Sequence, residues 1–309
     1  MKILITGGGG FQGSHLAESL VNDGHNVSIL NTYSEGSRAN LSNILDKVNL
    51  VWGSVTDKET VDKSVRDHDV VFHLAAHINV DESLQDPLVF LQANVLGTYN
   101  ILEAVKKYQS RLILASSCEV YGDGHDLNES DLLNETAELK PNSPYAASKA
   151  AADRISYSYF KSYNLDVTIV RPFNVYGERQ KSGLFGALIP IMVARAMRGE
   201  DLVVFGDGSA SRDYSHISDI VRAYIMVLNN DTLKGKVINF ASGQNIMTKD
   251  IARHIADAFN AKVVYGPARP GEVVRFPADV SFAKSLGYSP KISIWEGIDR
   301  YIEWAKRNK

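Results

Sequence analysis

Four consecutive glycines between a short apolar run and a helical pattern constrain this chain more than any other feature. Lys2-Ile3-Leu4-Ile5-Thr6 reads as a buried strand, and Gly7-Gly8-Gly9-Gly10-Phe11-Gln12-Gly13 follows it directly. The glycines satisfy two spacings at once, G-x-G-x-x-G (Gly8, Gly10, Gly13) and G-x-x-G-x-x-G (Gly7, Gly10, Gly13). Without side chains the backbone can pass close to a pyrophosphate and aim a helix N-terminus at it. The spacing alone is weak, but the strand-loop-helix context makes this loop a dinucleotide site.

The first half of the chain then alternates apolar runs with helical patterns. Strands are expected at Lys2–Thr6, Asn26–Leu30, Val48–Trp52, Val70–Leu74, Arg111–Ser116 and Asp166–Arg171. Helices are expected at Gly13–Asp23, Asp57–Asp67, Pro87–Tyr108 and Ser143–Tyr163. Such alternation gives an α/β fold, a doubly wound parallel Rossmann-type sheet that binds ligands at the carboxyl ends of its strands. After Pro172 the elements shorten, with helices at Leu188–Arg198, Ser218–Asn229 and Thr248–Phe259 and strands at Leu202–Phe205, Val237–Phe240 and Val263–Tyr265. The expected domains are 1–172, which binds the dinucleotide, and 173–309, a smaller C-terminal substrate-binding lobe. The chain is expected to return to the first around 213–240.

Net charge is −3, which argues against a nucleic-acid partner. The basic end Lys306-Arg307-Asn308-Lys309 reads as a solvated helix terminus. Cys118 is the only cysteine, so neither an intramolecular disulfide nor a multi-cysteine metal site can form, and no metal is expected. No signal-peptide pattern precedes the first strand. The apolar stretch from Ala187 to Met197 is interrupted by Pro190 and Arg195, so no membrane span is expected and the cytoplasm is the expected compartment.

The chemistry concentrates in Ser117-Cys118-Glu119-Val120-Tyr121-Gly122 and Tyr145-Ala146-Ala147-Ser148-Lys149. On one helix face, Lys149 is expected to lower the Tyr145 pKa and make a phenolate usable as a base, with Ser117 holding the same substrate hydroxyl. A second Tyr-x-x-x-Lys match, Tyr157 and Lys161, lies about 18 Å further along the same helix at 1.5 Å per residue. Only one of the two can meet Ser117. Tyr145 follows Pro141-Asn142-Ser143-Pro144 at a helix start, so it is the candidate and Tyr157 reads as packing. Cys118 and Glu119 form a second acid/base pair beside the first, which a plain alcohol dehydrogenase does not need. An enzyme that oxidises a sugar and then eliminates water does.

At the cofactor end, the second strand finishes on Asn31, where an acidic residue ordinarily holds the adenosine ribose. An amide can bond a ribose hydroxyl and does not repel a 2′-phosphate, and Arg38 lies a few residues on. The expectation is NAD, with NADP not excluded.

With these residues in hand, the chain resembles the extended short-chain dehydrogenase/reductases, specifically their nucleotide-sugar epimerases and dehydratases. The resemblance runs over essentially the whole chain. It is carried by the glycine loop, His73-Leu74-Ala75-Ala76, Asn94, Ser117, Tyr145 with Lys149, and Arg171-Pro172-Phe173-Asn174-Val175-Tyr176-Gly177. It continues in Gly206-Asp207-Gly208, Arg212-Asp213-Tyr214 and Arg269-Pro270-Gly271-Glu272. It implies that Gly7, Gly10, Phe11, Gln12, Gly13, Asn31, Ser54, Leu74, Ala75, Ala76, Asn94, Tyr145 and Lys149 contact NAD. It also implies that His77, Asn174, Arg212, Arg269 and Glu272 contact a nucleoside-diphosphate sugar, UDP-sugars being favoured, and that the helices Pro87–Tyr108 and Ser143–Tyr163 pair into a homodimer. Asn31 and Ser54 both stand where the family usually places Asp.

Within the family, the residues before Val-Tyr-Gly sort the chemistry. Cys118-Glu119 is most similar to the 5,6-dehydratase of tunicamycin biosynthesis, and 4,6-dehydratases also carry an acid and a Glu there. The catalytic set is then Ser117, Cys118, Glu119, Tyr145 and Lys149, and the expected activity is a nucleotide-hexose dehydratase, 4,6- ahead of 5,6-. The alternatives are a nucleotide-hexose 4-epimerase and, further off, a non-catalytic nicotinamide-dependent regulator.

Overall fold

The computed structural model describes residues 1–124, 127–128, 130–182, 186–268 and 274–308. These divide into two compact units, one of Met1–Val120, Pro141–Arg171 and Val221–Ile238, the other of Tyr121–Lys140, Pro172–Ile220 and Asn239–Lys309.

The first unit is built on strands β1 (Lys2–Thr6), β2 (Asn26–Asn31), β3 (Asn49–Trp52), β4 (Val70–His73), β5 (Arg111–Ala115) and β6 (Val167–Pro172). The Val237–Phe240 strand completes a seven-stranded sheet beside β6, in the order β6-β5-β4-β1-β2-β3 from there outward. Pairings from β3 to β6 are all parallel, with Thr6 opposite His73 and Ala115 opposite Val170. The strands β4, β5 and β6 are buried along their whole length, which is why they read as continuous apolar runs rather than alternating ones. The topology reverses between β1 and β4, so the crevice at their carboxyl ends opens beside Gly7 and His73.

The helix Pro144–Tyr163, which carries Tyr145 and Lys149, starts where local chemistry dictates. The hydroxyl of Ser143 accepts from the Ala146 N–H, Pro144 occupies the first turn, and Asn164 ends the helix in the left-handed region at φ 53°. The expected Pro87–Tyr108 helix is present but not uniform: α-helical Pro87–Phe90 leads into a π-turn over Leu91–Leu96, then α-helix resumes over Gly97–Tyr108. There the Thr98 hydroxyl takes the Asn94 carbonyl at 2.6 Å, competing with the regular ladder. This is the single helix among the described residues with the length and mean hydropathy (1.2) to cross a bilayer, and half of its apolar window is buried inside the unit, as in a core helix.

The second unit packs helices Leu188–Met197, Thr248–Phe259 and Ile294–Arg307 around an apolar cluster that includes Val193, Val204, Ile255 and Ile298. Lys306 and Arg307 lie in the last turn of the final helix, where cations suit the dipole. Two small sheets hold the loops: Ser211–Asp213 pairs with both Asn245–Met247 and Arg275–Phe276, and Val175–Tyr176 pairs in parallel with Ser215–His216. The segment 121–140 belongs here because Leu133 is bonded to Pro277 and Asp279 and Asp123 to Val274.

Candidate active site

The glycine loop has the shape its spacing requires. Gly7 sits at φ 73°, and a Cβ there would stand 2.7 Å from the Ala75 nitrogen. A Cβ at Gly13 would meet the Gly7 carbonyl oxygen at 2.2 Å, so the helix can approach the strand only without one. Gly10 caps the Phe11–Asn22 helix with no side-chain hydrogen bond, leaving the first-turn N–H groups to whatever the loop holds. The crevice and these bare donors fit a pyrophosphate.

Several residues assigned to the cofactor by resemblance turn out to hold the loop itself. The Asn31 carbonyl accepts from Gly9 N–H at 3.0 Å, while its amide donates to the Thr32 carbonyl and the Ser37 hydroxyl. Both its donors are therefore spent, and the side chain can offer a ribose hydroxyl only an acceptor. Gln12 accepts from the Tyr224 hydroxyl at 3.1 Å, and Phe11 lies edge-on to His15. The Ser54 hydroxyl bonds Thr56 in a turn after β3. Leu74 and Ala75 hang from Thr6 by their backbone N–H groups, and Ala76 follows them in the same half-buried loop.

Asn94 is committed in the same way. Its carbonyl accepts from His77 N–H at 2.8 Å, and its amide donates to the His77 carbonyl at 2.9 Å and to the Ser148 hydroxyl at 2.8 Å. The side chain ties the loop after β4 to the Pro144–Tyr163 helix. His77 is exposed beyond this clamp and its ring meets Phe90 at 5.5 Å, and Phe90 meets Tyr145 edge-on at 6.3 Å. Phe90 and Ser148 were not singled out by sequence.

Ser117, Cys118, Tyr145 and Lys149 are all buried side by side, and Glu119 is half-buried in the Cys118–Tyr121 turn that follows β5. Tyr145 is hydrogen-bonded to Ser117, and the Ser117 hydroxyl also accepts from Glu119 N–H at 3.2 Å. The Lys149 ammonium donates to the Ala115 carbonyl. The expected lowering of the Tyr145 pKa by Lys149 is not what the chain shows. Burial pushes the phenol up; the Ser117 bond opposes this, and Glu119 and Cys118 push it further up. Lys149 is itself lowered to about 8 by burial, partly offset by Asp153. The reason is that two buried groups lose hydration before they gain each other. An oxidised nicotinamide, if held beside Tyr145, would supply positive charge that favours the phenolate. Tyr157 packs against the core and receives Arg154 over its ring at 5.1 Å, as a packing residue does.

Below the pair, His73 is fully buried between the Thr6 and Thr98 hydroxyls, at 2.7 and 3.0 Å, and burial drives its pKa down to about 3. It is a neutral structural group.

In the second unit Asn174 adopts φ 29° and donates to the Asp213 carbonyl at 2.9 Å, beside half-buried Arg212. The buried Asp213 carboxylate accepts from Ser242 N–H, the Ser242 hydroxyl and Gly243 N–H at 2.6–2.8 Å, which fixes the Arg212 strand against the 242–243 turn. Arg269 and Glu272 lie outside the described residues.

Residues 3–241 match the model of the NAD dependent epimerase/dehydratase family. The UDP-N-acetyl-alpha-D-glucosaminuronate decarboxylase of Bacillus cytotoxicus is 34% identical over 98% of this chain and 97% of its own length. The UDP-glucose 4-epimerase of Thermotoga maritima, solved with UDP-glucose, superposes with a TM-score of 0.92 at 30% identity over 100% of this chain and 99% of its own. The dTDP-glucose 4,6-dehydratase of Streptomyces venezuelae, solved with NAD bound, gives 0.91 at 30% identity over 100% and 98%. These relatives act on nucleotide sugars by different reactions, yet each matches nearly the whole chain, and with the family model over residues 3–241 this shows that the chain belongs to the NAD-dependent nucleotide-sugar epimerase/dehydratase family.

Proposed function

We propose that the protein is a nucleoside-diphosphate-hexose dehydratase, acting on a UDP-sugar by preference and returning a 4-keto-6-deoxy sugar. The observation that carries the reading is the Cys118–Tyr121 turn, which sets a thiol and a carboxylate close enough to Tyr145 for both to raise its pKa. An epimerase has no use for this second acid/base pair.

NAD held at the glycine loop would supply a hydride acceptor that can also return the hydride. Tyr145 takes the O4 proton while Ser117 holds the same oxygen. The resulting C4 ketone acidifies C5. Glu119 then removes the C5 proton, and the Cys118 thiol donates a proton to the departing C6 hydroxyl. Reduction at C6 with the proton returned from Glu119 to C5 would complete a 4,6-dehydration, whereas reduction at C4 with the proton returned from Tyr145 to O4 would leave a 5,6-ene. In this reading Asn174 and Arg212, with Arg269 by resemblance, hold the sugar diphosphate, and Glu272 by resemblance holds the nucleotide ribose. A guanidinium fork suits phosphate oxygens. The exposed apolar side chains Leu84, Leu88, Leu91, Leu96 and Tyr99 support a homodimer through the 84–99 region.

Mass analysis of products from UDP-, dTDP-, GDP- and CDP-hexoses tests the reading: loss of one water from one of them is expected. Conversion without change of mass identifies a 4-epimerase, the second reading, since relatives of both kinds superpose equally well. Loss of carbon dioxide from a uronic acid substrate instead identifies a decarboxylase.

A further inference from the structure

Three successive residues at the end of β5 are each bonded to the catalytic helix, at positions four residues apart. Ser117 meets Tyr145, the Ala115 carbonyl meets Lys149, and the Ser116 hydroxyl donates to Asp153 at 2.7 Å. The Asp153 side chain is fully buried, and a buried carboxylate persists only with partners. Its partners are the Arg171 Nε and Nη2 at 2.9 and 3.1 Å, from β6, and the half-exposed Arg154 at 2.8 Å. Ser116 N–H donates to the Val170 carbonyl at 2.7 Å, closing the arrangement between the two strand ends.

We propose that Asp153 is a positioning residue for the Tyr145–Lys149 pair, acting through Ser116 on the strand that carries Ser117 and through its charge on the Lys149 ammonium. The proposal rests on reading Tyr145 and Lys149 as the catalytic pair. The charged or titratable groups around Lys149 are Tyr145 and Asp153 on its own helix and His73 on β4. Beyond Asp153 stand Arg171 on β6 and Arg154 on the helix, and Cys118 and Glu119 face Tyr145 from the turn after β5. Among them Asp153 is the group that favours a charged Lys149 against desolvation. Arg154 is paired with the same carboxylate and offsets part of its charge.

The test compares Asp153→Asn, Asp153→Glu, Ser116→Ala and Arg154→Gln. Two readouts are taken: the pH profile of kcat/KM, and the Lys149 pKa from trace acetylation with acetic anhydride, quantified by mass spectrometry. Loss of an opposite charge shifts a pKa by one to three units, and Arg171 already neutralises part of this one, so Asp153→Asn should lower the Lys149 pKa by about one unit. The alkaline limb of the profile should move down with it. Asp153→Glu should restore both. Arg154→Gln should move both upward by a few tenths of a unit, the smaller effect of a half-exposed charge. Ser116→Ala should reduce kcat several-fold with KM and the Lys149 pKa unmoved. A folded Asp153→Asn with an unaltered Lys149 pKa overturns the proposal. If that variant does not fold, an unmoved or lowered pKa in Arg154→Gln overturns it. Because the acetylation readout needs no substrate, a shifted Lys149 in a protein that converts no nucleotide sugar refutes the proposed function and leaves the coupling standing.

Discussion

Replacing Glu119 by Gln separates the two halves of the proposed reaction. Oxidation at C4 needs Tyr145, Lys149, Ser117 and NAD; elimination needs a base at C5. In the structure Glu119 and Cys118 both push the Tyr145 phenol up, so removing the Glu119 charge eases ionisation of Tyr145 and leaves oxidation unimpeded. Elimination loses its general base, which typically contributes 10²–10⁴-fold, or about 2.7–5.4 kcal/mol at 1.36 kcal/mol per decade. Two steps of comparable rate then differ by at least about a hundredfold, and nearly all sites should stop with the cofactor reduced. Stopped-flow mixing with the identified substrate should show a near-ultraviolet absorbance that rises once per site and persists, with no dehydrated product. In Cys118→Ala, where Glu119 remains, water loss should slow less and solvent deuterium should enter C5; in Glu119→Gln it should not. Dehydration at the wild-type rate in Glu119→Gln refutes the assignment.

Tyr145→Phe should lower turnover by about 10²–10⁴-fold while Tyr157→Phe stays close to wild type in a steady-state assay; equal losses in two folded variants mean that the wrong pair was chosen. Gly13→Ala places a Cβ 2.2 Å from the Gly7 carbonyl oxygen, so calorimetry should show a lower Tm and loss of the stabilisation by NAD, about 2.7 kcal/mol at a hundredfold excess over Kd in the parent protein. His73 titrates at about 3 folded against 6.5 unfolded, so the unfolded chain binds the proton first as pH falls. Its contribution is nil above 6.5, and below it stability should drop by about 1.4 kcal/mol per pH unit towards pH 3. Urea titrations of the parent and of His73→Asn should diverge in that window, and parallel curves contradict it.

The residue pattern alone determined the framework: the strand positions β1 to β6, the glycine loop, and the start of the catalytic helix at Ser143-Pro144. Each depends on signals within a few residues, namely apolar runs, glycine permissiveness and capping chemistry, which need no distant contact to be read. The same local logic placed Tyr145 in a first turn and Tyr157 well beyond it. The segment 121–140 shows no such signal, and its membership in the second unit comes from hydrogen bonds to residues 274–279. The tertiary structure likewise decided what the polar side chains do. Asn31 and Asn94 are cofactor contacts by resemblance, and the fold commits their amides to Thr32 and Ser37 and to His77 and Ser148. Asp153 and Arg171 stand 18 positions apart and become one buried ion pair. The Tyr145 pKa moved opposite to expectation because desolvation depends on everything packed around a group, and spacing along a helix carries no record of that burial.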